Sequence, residues 1–189
     1  MNAIHNIICS SAWWDRRVKD ELLPWGLKDV ELGDDVLEIG PGFGATTRRL
    51  EPSLERLTAL ELEPRYCERL RRELGDAVTV VQGDATRLPF DDGRFSAVVC
   101  FTMLHHIPSA ESQDRVFSEV ARVLRPGGTF AGTDSIGTGA LFKLIHVGDI
   151  LVLIDPDGMP ARLSQAGLTE ATISRGGRSF RFRATKPSP

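Results

Sequence analysis

Between residues 36 and 44 the chain reads Val36-Leu37-Glu38-Ile39-Gly40-Pro41-Gly42-Phe43-Gly44, an apolar run that ends in three glycines spaced two apart. The apolar residues are typical of a buried parallel strand, and the glycines allow the backbone to turn tightly and lie close against a ligand. Residues 45–50 predict the start of a helix whose first amide groups face the same ligand. The stretch therefore predicts a strand, a turn and a helix around a nucleotide-type site.

An acidic residue follows this turn at the distance expected for a ribose contact. Glu61 ends the apolar run 57–60, about twenty residues after Gly40, as in βαβ nucleotide-binding units. The Gly-x-Gly-x-Gly spacing differs from the Gly-x-Gly-x-x-Gly of dinucleotide enzymes. Glu38 also puts a charge inside the last turn of the strand, which suits a ligand with an amino acid moiety. A glycine turn that serves only packing is the alternative interpretation.

The rest of the chain alternates strand and helix patterns, which predicts a parallel sheet with helices on both faces. Predicted strands are 36–39, 57–61, 78–82, 96–101 and 128–134, and predicted helices are 44–51, 64–74 and 112–124. Residues 125–128 predict the end of a helix and a turn. Helical regions at 139–152 and 160–166 precede a β-hairpin of 169–174 and 179–184. The predicted fold class is α/β, a Rossmann-like, seven-stranded, mostly parallel sheet with a C-terminal antiparallel hairpin.

Residues 1–35 form a predicted N-terminal helical segment, with apolar residues recurring at spacings near three and four. We expect this segment to pack on the core. The alternative is that Trp13 and Trp14 cover the mouth of the ligand site.

Composition excludes several classes of function. The 189 residues carry 23 Lys and Arg against 26 Asp and Glu, so the net charge of −3 gives no general attraction to nucleic acid. Three cysteines without paired spacing are typical of a reduced intracellular protein. We find no signal peptide pattern and no apolar run of the roughly 20 residues that a membrane span needs. We therefore expect a cytoplasmic protein without stable membrane insertion.

Two further motifs follow predicted strands. Asp84 and Ala85 come after the third strand, where they can contact an adenine, although Asp84 also suits a turn or helix cap. His105 and His106 come after the fourth strand, and either can act as a general base, orient an acceptor or bond the loop backbone. Adjacent histidines cannot both point one way, and no cluster with metal-ligand spacing exists elsewhere, so we expect no metal site.

Together these motifs resemble the class I S-adenosylmethionine-dependent methyltransferases, in order and spacing. The resemblance is nearest to the small-molecule branch that includes the ubiquinone and menaquinone C-methyltransferases. The stretches that carry it are Glu38–Gly44, Glu61, Gly83-Asp84-Ala85, Leu104-His105-His106 and Arg122–Gly128.

The resemblance implies a set of contacts with S-adenosylmethionine. Gly40, Gly42 and Gly44 would line its methionine portion, and Glu38 would help to hold its amino end. Glu61 would bind the ribose hydroxyls. The remaining contacts would be Asp84 on the adenine amino group, with backbone contacts from Ala85 and Phe101.

The resemblance also implies one methyltransferase domain over residues 1–189. Residues 36–134 would form its cofactor-binding core, and residues 135–189 the acceptor-side helices and hairpin. The acceptor would be a small molecule, and a hydrophobic acceptor is one of the possibilities. We expect residues 135–163 to wall its pocket, and ordinary core packing is the alternative for the apolar residues of this stretch. Those residues are Leu141, Phe142, Leu144, Ile145, Val147, Ile150 and Leu151.

The predicted reaction is an in-line displacement, for which the protein chiefly positions the reactants. If the acceptor must lose a proton, the candidate bases are His106, our first choice, His105 and Asp134. Two alternatives stay open, a non-catalytic S-adenosylmethionine-binding module and a nicotinamide-dependent oxidoreductase. The acceptor and the oligomeric state are not predicted.

Overall fold

Seven strands form a single sheet in the order β3-β2-β1-β4-β5-β7-β6. The structure is a computed structural model and describes residues 2–137, 139, 142 and 146–188. The first five strands run parallel to one another, and β7 pairs antiparallel with both β5 and β6. The strands are β1 Asp35–Ile39, β2 Arg56–Glu61, β3 Thr79–Gln82, β4 Phe95–Phe101, β5 Leu124–Ser135, β6 Thr169–Gly176 and β7 Ser179–Thr185. The predicted fold class is therefore confirmed.

The helices pack on both faces of this sheet. They are α1 Ala3–Cys9, α2 Ala12–Arg17, α3 Leu23–Gly26, α4 Thr47–Leu50, α5 Pro64–Leu74, α6 Ala110–Val123 and α7 Met159–Gln165. A π-helical turn, Val18–Leu22, joins α2 to α3, and short 3-10 turns lie at Glu51–Ser53, Gly75–Ala77 and Leu104–His106. In the described part of the chain no helix is long and apolar enough to cross a membrane.

Side chains alternate between the faces of each strand and so build two cores. Leu37 and Ile39 of β1 belong to the larger core, together with α6 residues such as Phe117. Val36 belongs to the smaller core on the opposite face, which includes Phe101. Because both faces are covered, the central strands are buried along their length, as the continuous apolar runs predict.

Three predictions of local structure were wrong. The helix expected at 44–51 is a single turn, since residues 42–46 form turns and Pro52 lies in the 3-10 turn that follows. The N-terminal helix is interrupted, because the Ser11 side chain accepts from the Trp14 N–H and caps a second helix. The turn expected at 125–128 lies inside β5, where Gly127 N donates to Lys186 O at 2.8 Å.

The connection after β5 was predicted to be helical over 139–152. Residues 138, 140, 141 and 143–145 lie outside the described residues. Residues 146–148 form a turn, and 150–155 have no regular structure.

Candidate active site

A cavity of ≈ 630 Å³ opens at the carboxyl ends of the parallel strands. This is the edge at which open α/β sheets bind ligands, and the volume is in the range of small-molecule sites. Most of the predicted cofactor residues line it, namely Gly40, Gly42, Glu61, Asp84, Ala85 and Phe101. Glu38 and Gly44 are not among the lining residues.

The glycine loop adopts the backbone conformation that its sequence predicts. Gly40 has a φ of 67° and Gly42 a φ of 54°, which L-residues rarely adopt. A Cβ at Gly40 would overlap Met103 Cγ, whereas a Cβ at Gly42 would meet no atom within 4 Å. Gly40 is thus required by packing, and Gly42 keeps the backbone open to the cavity.

Gly44 has a packing role. Its φ is 73°, and an added Cβ would lie 2.6 Å from Leu70 Cδ2 of α5. The glycine therefore allows α5 to approach the loop. Its contact with a cofactor stays a prediction.

The Glu61 carboxylate is held at the end of β2 by two backbone groups. Its Oε2 accepts from Gly42 N at 2.9 Å, and its Oε1 accepts from Glu63 N at 3.0 Å. The side chain is buried yet lines the cavity. The acid and the glycine loop, separated in sequence, are therefore part of one binding surface.

Asp84 lies at the end of the cavity next to β3. Its Oδ1 accepts from Thr86 N at 2.8 Å, which closes a local turn, and the residue is exposed. The turn role considered from sequence is therefore present. Ala85 beside it is buried, so a flat ring can approach the backbone here without meeting a large side chain.

Glu38 is a carboxyl group buried beneath the loop. The Thr46 hydroxyl donates to its Oε1, and among the described residues nothing bonds to its Oε2. Burial raises the pKa of Glu38 to about 7. Since Thr46 lines the cavity and Glu38 does not, Glu38 acts on the site by holding the residue that follows the loop.

His105 and Asp134 form a buried pair at the ends of β4 and β5. Asp134 Oδ2 accepts from His105 N at 3.1 Å, Oδ1 accepts from Ser135 N, and His105 Nδ1 contacts Oδ1. Because a carboxylate only accepts, Nδ1 carries a proton, and in the neutral imidazole Nε2 has the lone pair. This arrangement fixes both the orientation and the tautomer of the imidazole.

The cavity also gathers all four histidines of the chain, His5, His105, His106 and His146. His106 Nδ1 lies 3.2 Å from Ile150 O, and its ring centroid lies 4.2 Å from that of His105 and 4.9 Å from that of His5. Burial, together with the neighbouring imidazoles, lowers the pKa of His106 to about 2. Burial also lowers the pKa of His5 and of His146.

Sequence reasoning singled out only two of these histidines. His5 lies in α1 and His146 in the connection after β5, so neither follows a strand that would have placed it at this edge. The expectation of no metal site considered spacing along the chain. The fold instead brings a ring nitrogen of His5, His106 and His146 within 4.8 Å of one another.

The N-terminal segment closes one side of the cavity. Trp13, Trp14 and Arg17 line it, and Trp13 is 56% exposed at its rim. Arg49 anchors the segment, since its guanidinium bonds both Asp15 carboxylate oxygens at 3.0 Å and 2.6 Å. The two tryptophans thus lie at the mouth of the cavity. That they increase the affinity for a ligand stays a prediction, which binding measurements can test.

Residues of the connection after β5 also line the cavity. Phe142 and Ile150 line the cavity, whereas Val147 is 66% exposed and Leu151 is partly buried. Leu141, Leu144 and Ile145, which were also predicted here, lie outside the described residues.

Comparison with known proteins agrees with this fold. Residues 37–132 match the family described as "Methyltransferase domain". Methyltransferase GfsG of Streptomyces halstedii is 31% identical over 160 residues, which cover 74% of this chain and 54% of that protein. Fatty-acid O-methyltransferase of Mycolicibacterium smegmatis is 40% identical over 114 residues, covering 57% of this chain and 39% of that protein. The chain thus spans about half the length of these relatives or less.

A solved structure extends the likeness in fold to the whole chain. Haemonchus contortus phosphoethanolamine N-methyltransferase 2, in complex with S-adenosyl-L-methionine, superposes with a TM-score of 0.74 at 15% identity. The match covers 100% of this chain and 61% of that protein.

The sheet order, the glycine loop and Glu61 together define the class I, S-adenosylmethionine-dependent methyltransferase type of domain. The family match spans half of the chain, and the chain belongs to the methyltransferase domain family.

Proposed function

We propose that the protein transfers a methyl group from S-adenosylmethionine to a small, hydrophobic acceptor. The observation that carries the proposal is the contact of Glu61 Oε2 with Gly42 N at the edge of a cavity of ≈ 630 Å³. It joins a carboxylate suited to ribose hydroxyls to a backbone suited to the methionine portion. This supports a nucleoside ligand with an amino acid tail.

The residues at the cavity fit this cofactor. Gly40 and Gly42 would face its methionine portion, Glu61 its ribose, and Asp84 with Ala85 its adenine. Phe101 lines the cavity at the end of β4 and would place its backbone beside the cofactor. Bound S-adenosylmethionine supplies a methyl group on an activated sulfonium. The chain's own task is therefore to align the acceptor and exclude water.

The contacts of the two candidate bases favour His105 over His106. Asp134 fixes the His105 ring, and an oriented imidazole with a free Nε2 is the arrangement in which a general base is held by a carboxylate. His106 holds protons poorly, since burial lowers its pKa to about 2. We therefore assign proton removal from the acceptor to His105.

The lining of the cavity supports a hydrophobic acceptor. Beyond the cofactor residues, apolar side chains such as Ile8, Trp14 and Phe142 face it. Relatives are named as 27-O-demethylrifamycin SV methyltransferase and fatty-acid O-methyltransferase, and both names give a small-molecule acceptor and an oxygen position. An acceptor hydroxyl would need the base, whereas a carboxylate is already ionised at neutral pH and would not. Three statements about the protein stay predictions. They are its place in the branch of ubiquinone and menaquinone C-methyltransferases, a cytoplasmic location and the lack of a nucleic-acid partner.

A screen with methyl-labelled S-adenosylmethionine tests the proposal. The acceptors are a long-chain fatty acid, 27-O-demethylrifamycin SV, a sterol and a quinol, each with wild-type protein and with Asp134→Asn. We expect labelled product from an apolar acceptor, and at least a hundredfold less with the variant if the acceptor atom is a hydroxyl oxygen. Binding of the cofactor without label in any acceptor would instead favour the non-catalytic binding module.

A further inference from the structure

Three histidines from distant parts of the chain meet at one place in the cavity. His5 comes from α1, His106 from the 3-10 turn after β4, and His146 from the turn that follows the described gap after β5. The ring centroids of His5 and His146 lie 4.6 Å apart, and those of His106 and His146 lie 5.5 Å apart. We propose that His5, His106 and His146 bind a divalent transition-metal ion of the zinc type on the acceptor side of the cavity.

The first support is the partner of each Nδ1. His5 Nδ1 lies 2.9 Å from Asp149 Oδ2, His106 Nδ1 lies 3.2 Å from Ile150 O, and His146 Nδ1 lies 2.7 Å from Phe142 O. Metal-binding histidines almost always donate one ring N–H to a carboxylate or a backbone carbonyl in this way, which orients the ring and leaves the other nitrogen for the ion. All three rings share the pattern.

The second support is a buried nitrogen without a protein partner. His146 is only 6% exposed, and among the described residues nothing hydrogen-bonds to its Nε2. A buried polar atom left unpaired costs stability, so it points to a missing ligand.

The third support is distance. Zinc–nitrogen bonds of 2.0–2.1 Å in a tetrahedral site place the nitrogens roughly 3.3 Å apart. One ring nitrogen of each histidine already lies within 4.8 Å of the others, so small side-chain rotations complete the site. Imidazole ligands suit zinc, copper, iron and nickel, and do not suit magnesium or calcium.

Three histidines leave one position of a tetrahedral ion open, as in catalytic zinc sites. Because the histidines line the cavity, that position faces the space proposed for the acceptor, where an acceptor oxygen or a water can occupy it. The ion would also tie α1 to the segments after β4 and β5. Metal binding does not depend on methyl transfer, so either proposal can fail alone.

The test is a titration of untagged protein, stripped with EDTA and dialysed, with CoCl₂ and then with ZnCl₂. We expect one Co²⁺ per chain, the strong visible absorption of a tetrahedral ion and its displacement by Zn²⁺. His5→Ala and His146→Ala should each weaken Co²⁺ affinity at least tenfold, and Asp149→Asn by roughly ten- to a hundredfold. S-adenosylmethionine binding by the same samples reports separately on folding and on the proposed function.

The fourth histidine supplies the matched control. His105 is bonded to Asp134 and does not belong to the three, so His105→Gln should still bind one Co²⁺ with similar affinity. Wild-type protein that binds S-adenosylmethionine but no Co²⁺ or Zn²⁺ at micromolar concentrations would overturn the proposal. So would stoichiometric binding that survives both His5→Ala and His146→Ala.

Discussion

Glu61 Oε2 accepts a hydrogen bond of 2.9 Å from the backbone N–H of Gly42, and this contact ties the end of β2 to the loop after β1. Two strands that pair in parallel thus share a fixed polar group at the edge of the sheet. The carboxylate is positioned before any ligand arrives, so little of the binding free energy is needed to order it.

The two loop glycines are expected to respond differently to alanine. Gly40→Ala adds both an unfavourable backbone conformation and an overlap with Met103, whereas Gly42→Ala adds only the conformation. A left-handed alanine costs about 1–2 kcal/mol. We therefore expect urea unfolding to show a loss of about 1 kcal/mol for Gly42→Ala and of more than about 2 kcal/mol for Gly40→Ala.

Gly42→Ala should also weaken cofactor binding. The new methyl group of Gly42→Ala projects into open space at the cavity, so its affinity for S-adenosylmethionine should fall at least tenfold while the fold persists. Unchanged affinity in this variant would show that the cofactor does not lie against Gly42.

Glu38 should make stability depend on pH. Burial raises its pKa in the folded chain from 4.5 to about 7, so the folded chain holds this proton more tightly than the unfolded chain. The stabilisation that comes from this raised pKa is fully present below pH 4.5, and it is lost as the pH rises towards 7. The total loss is about 3 kcal/mol.

Glu38→Gln removes the group that titrates in this pH range. The free energy of unfolding of the variant minus that of wild type should increase between pH 4.5 and 7 and level off above, which denaturant titrations at each pH can measure. A difference that does not change with pH would contradict the assignment.

Asp134→Asn tests the orientation of His105. An amide cannot accept all the N–H groups that now bond to the carboxylate, so the ring loses its fixed tautomer. Once a hydroxyl acceptor is identified, kcat should fall by about 10²–10⁴, while the affinity for S-adenosylmethionine changes less than about twofold. The exposed Asp91→Asn provides the control, and equal kcat in the two variants would exclude the pair from proton removal.

Trp13 tests the N-terminal cover. Because its side chain is 56% exposed, Trp13→Ala should change the free energy of unfolding by no more than about 0.5 kcal/mol. It lines the cavity, so ligand affinity should fall several-fold. Ile7→Ala is a matched control, since Ile7 is 68% exposed and is not among the lining residues. Similar ligand affinities in both variants would mean that Trp13 does not cover the ligand.

The sequence predicts the part of the site whose chemistry is local. Gly40, Gly42 and Glu61 could be found because strand, turn and acid follow one another within one βαβ unit, and the parallel sheet then brings them to one edge. His5 and His146 could not be found, since their meeting depends on how α1 packs over the cavity. Residues 125–128 were read as a turn because their pairing with Lys186, far along the chain, is not visible locally.

The most direct test of the central claim is calorimetric titration with S-adenosylmethionine, S-adenosylhomocysteine and NADH. Wild-type protein should bind both adenosyl ligands and not NADH, and Glu61→Gln should weaken both at least tenfold. The control Glu68→Gln changes an exposed residue of α5 and should bind as wild type does. Folded protein that binds neither adenosyl ligand would contradict the methyltransferase assignment, and binding of NADH instead would favour a nicotinamide-dependent oxidoreductase.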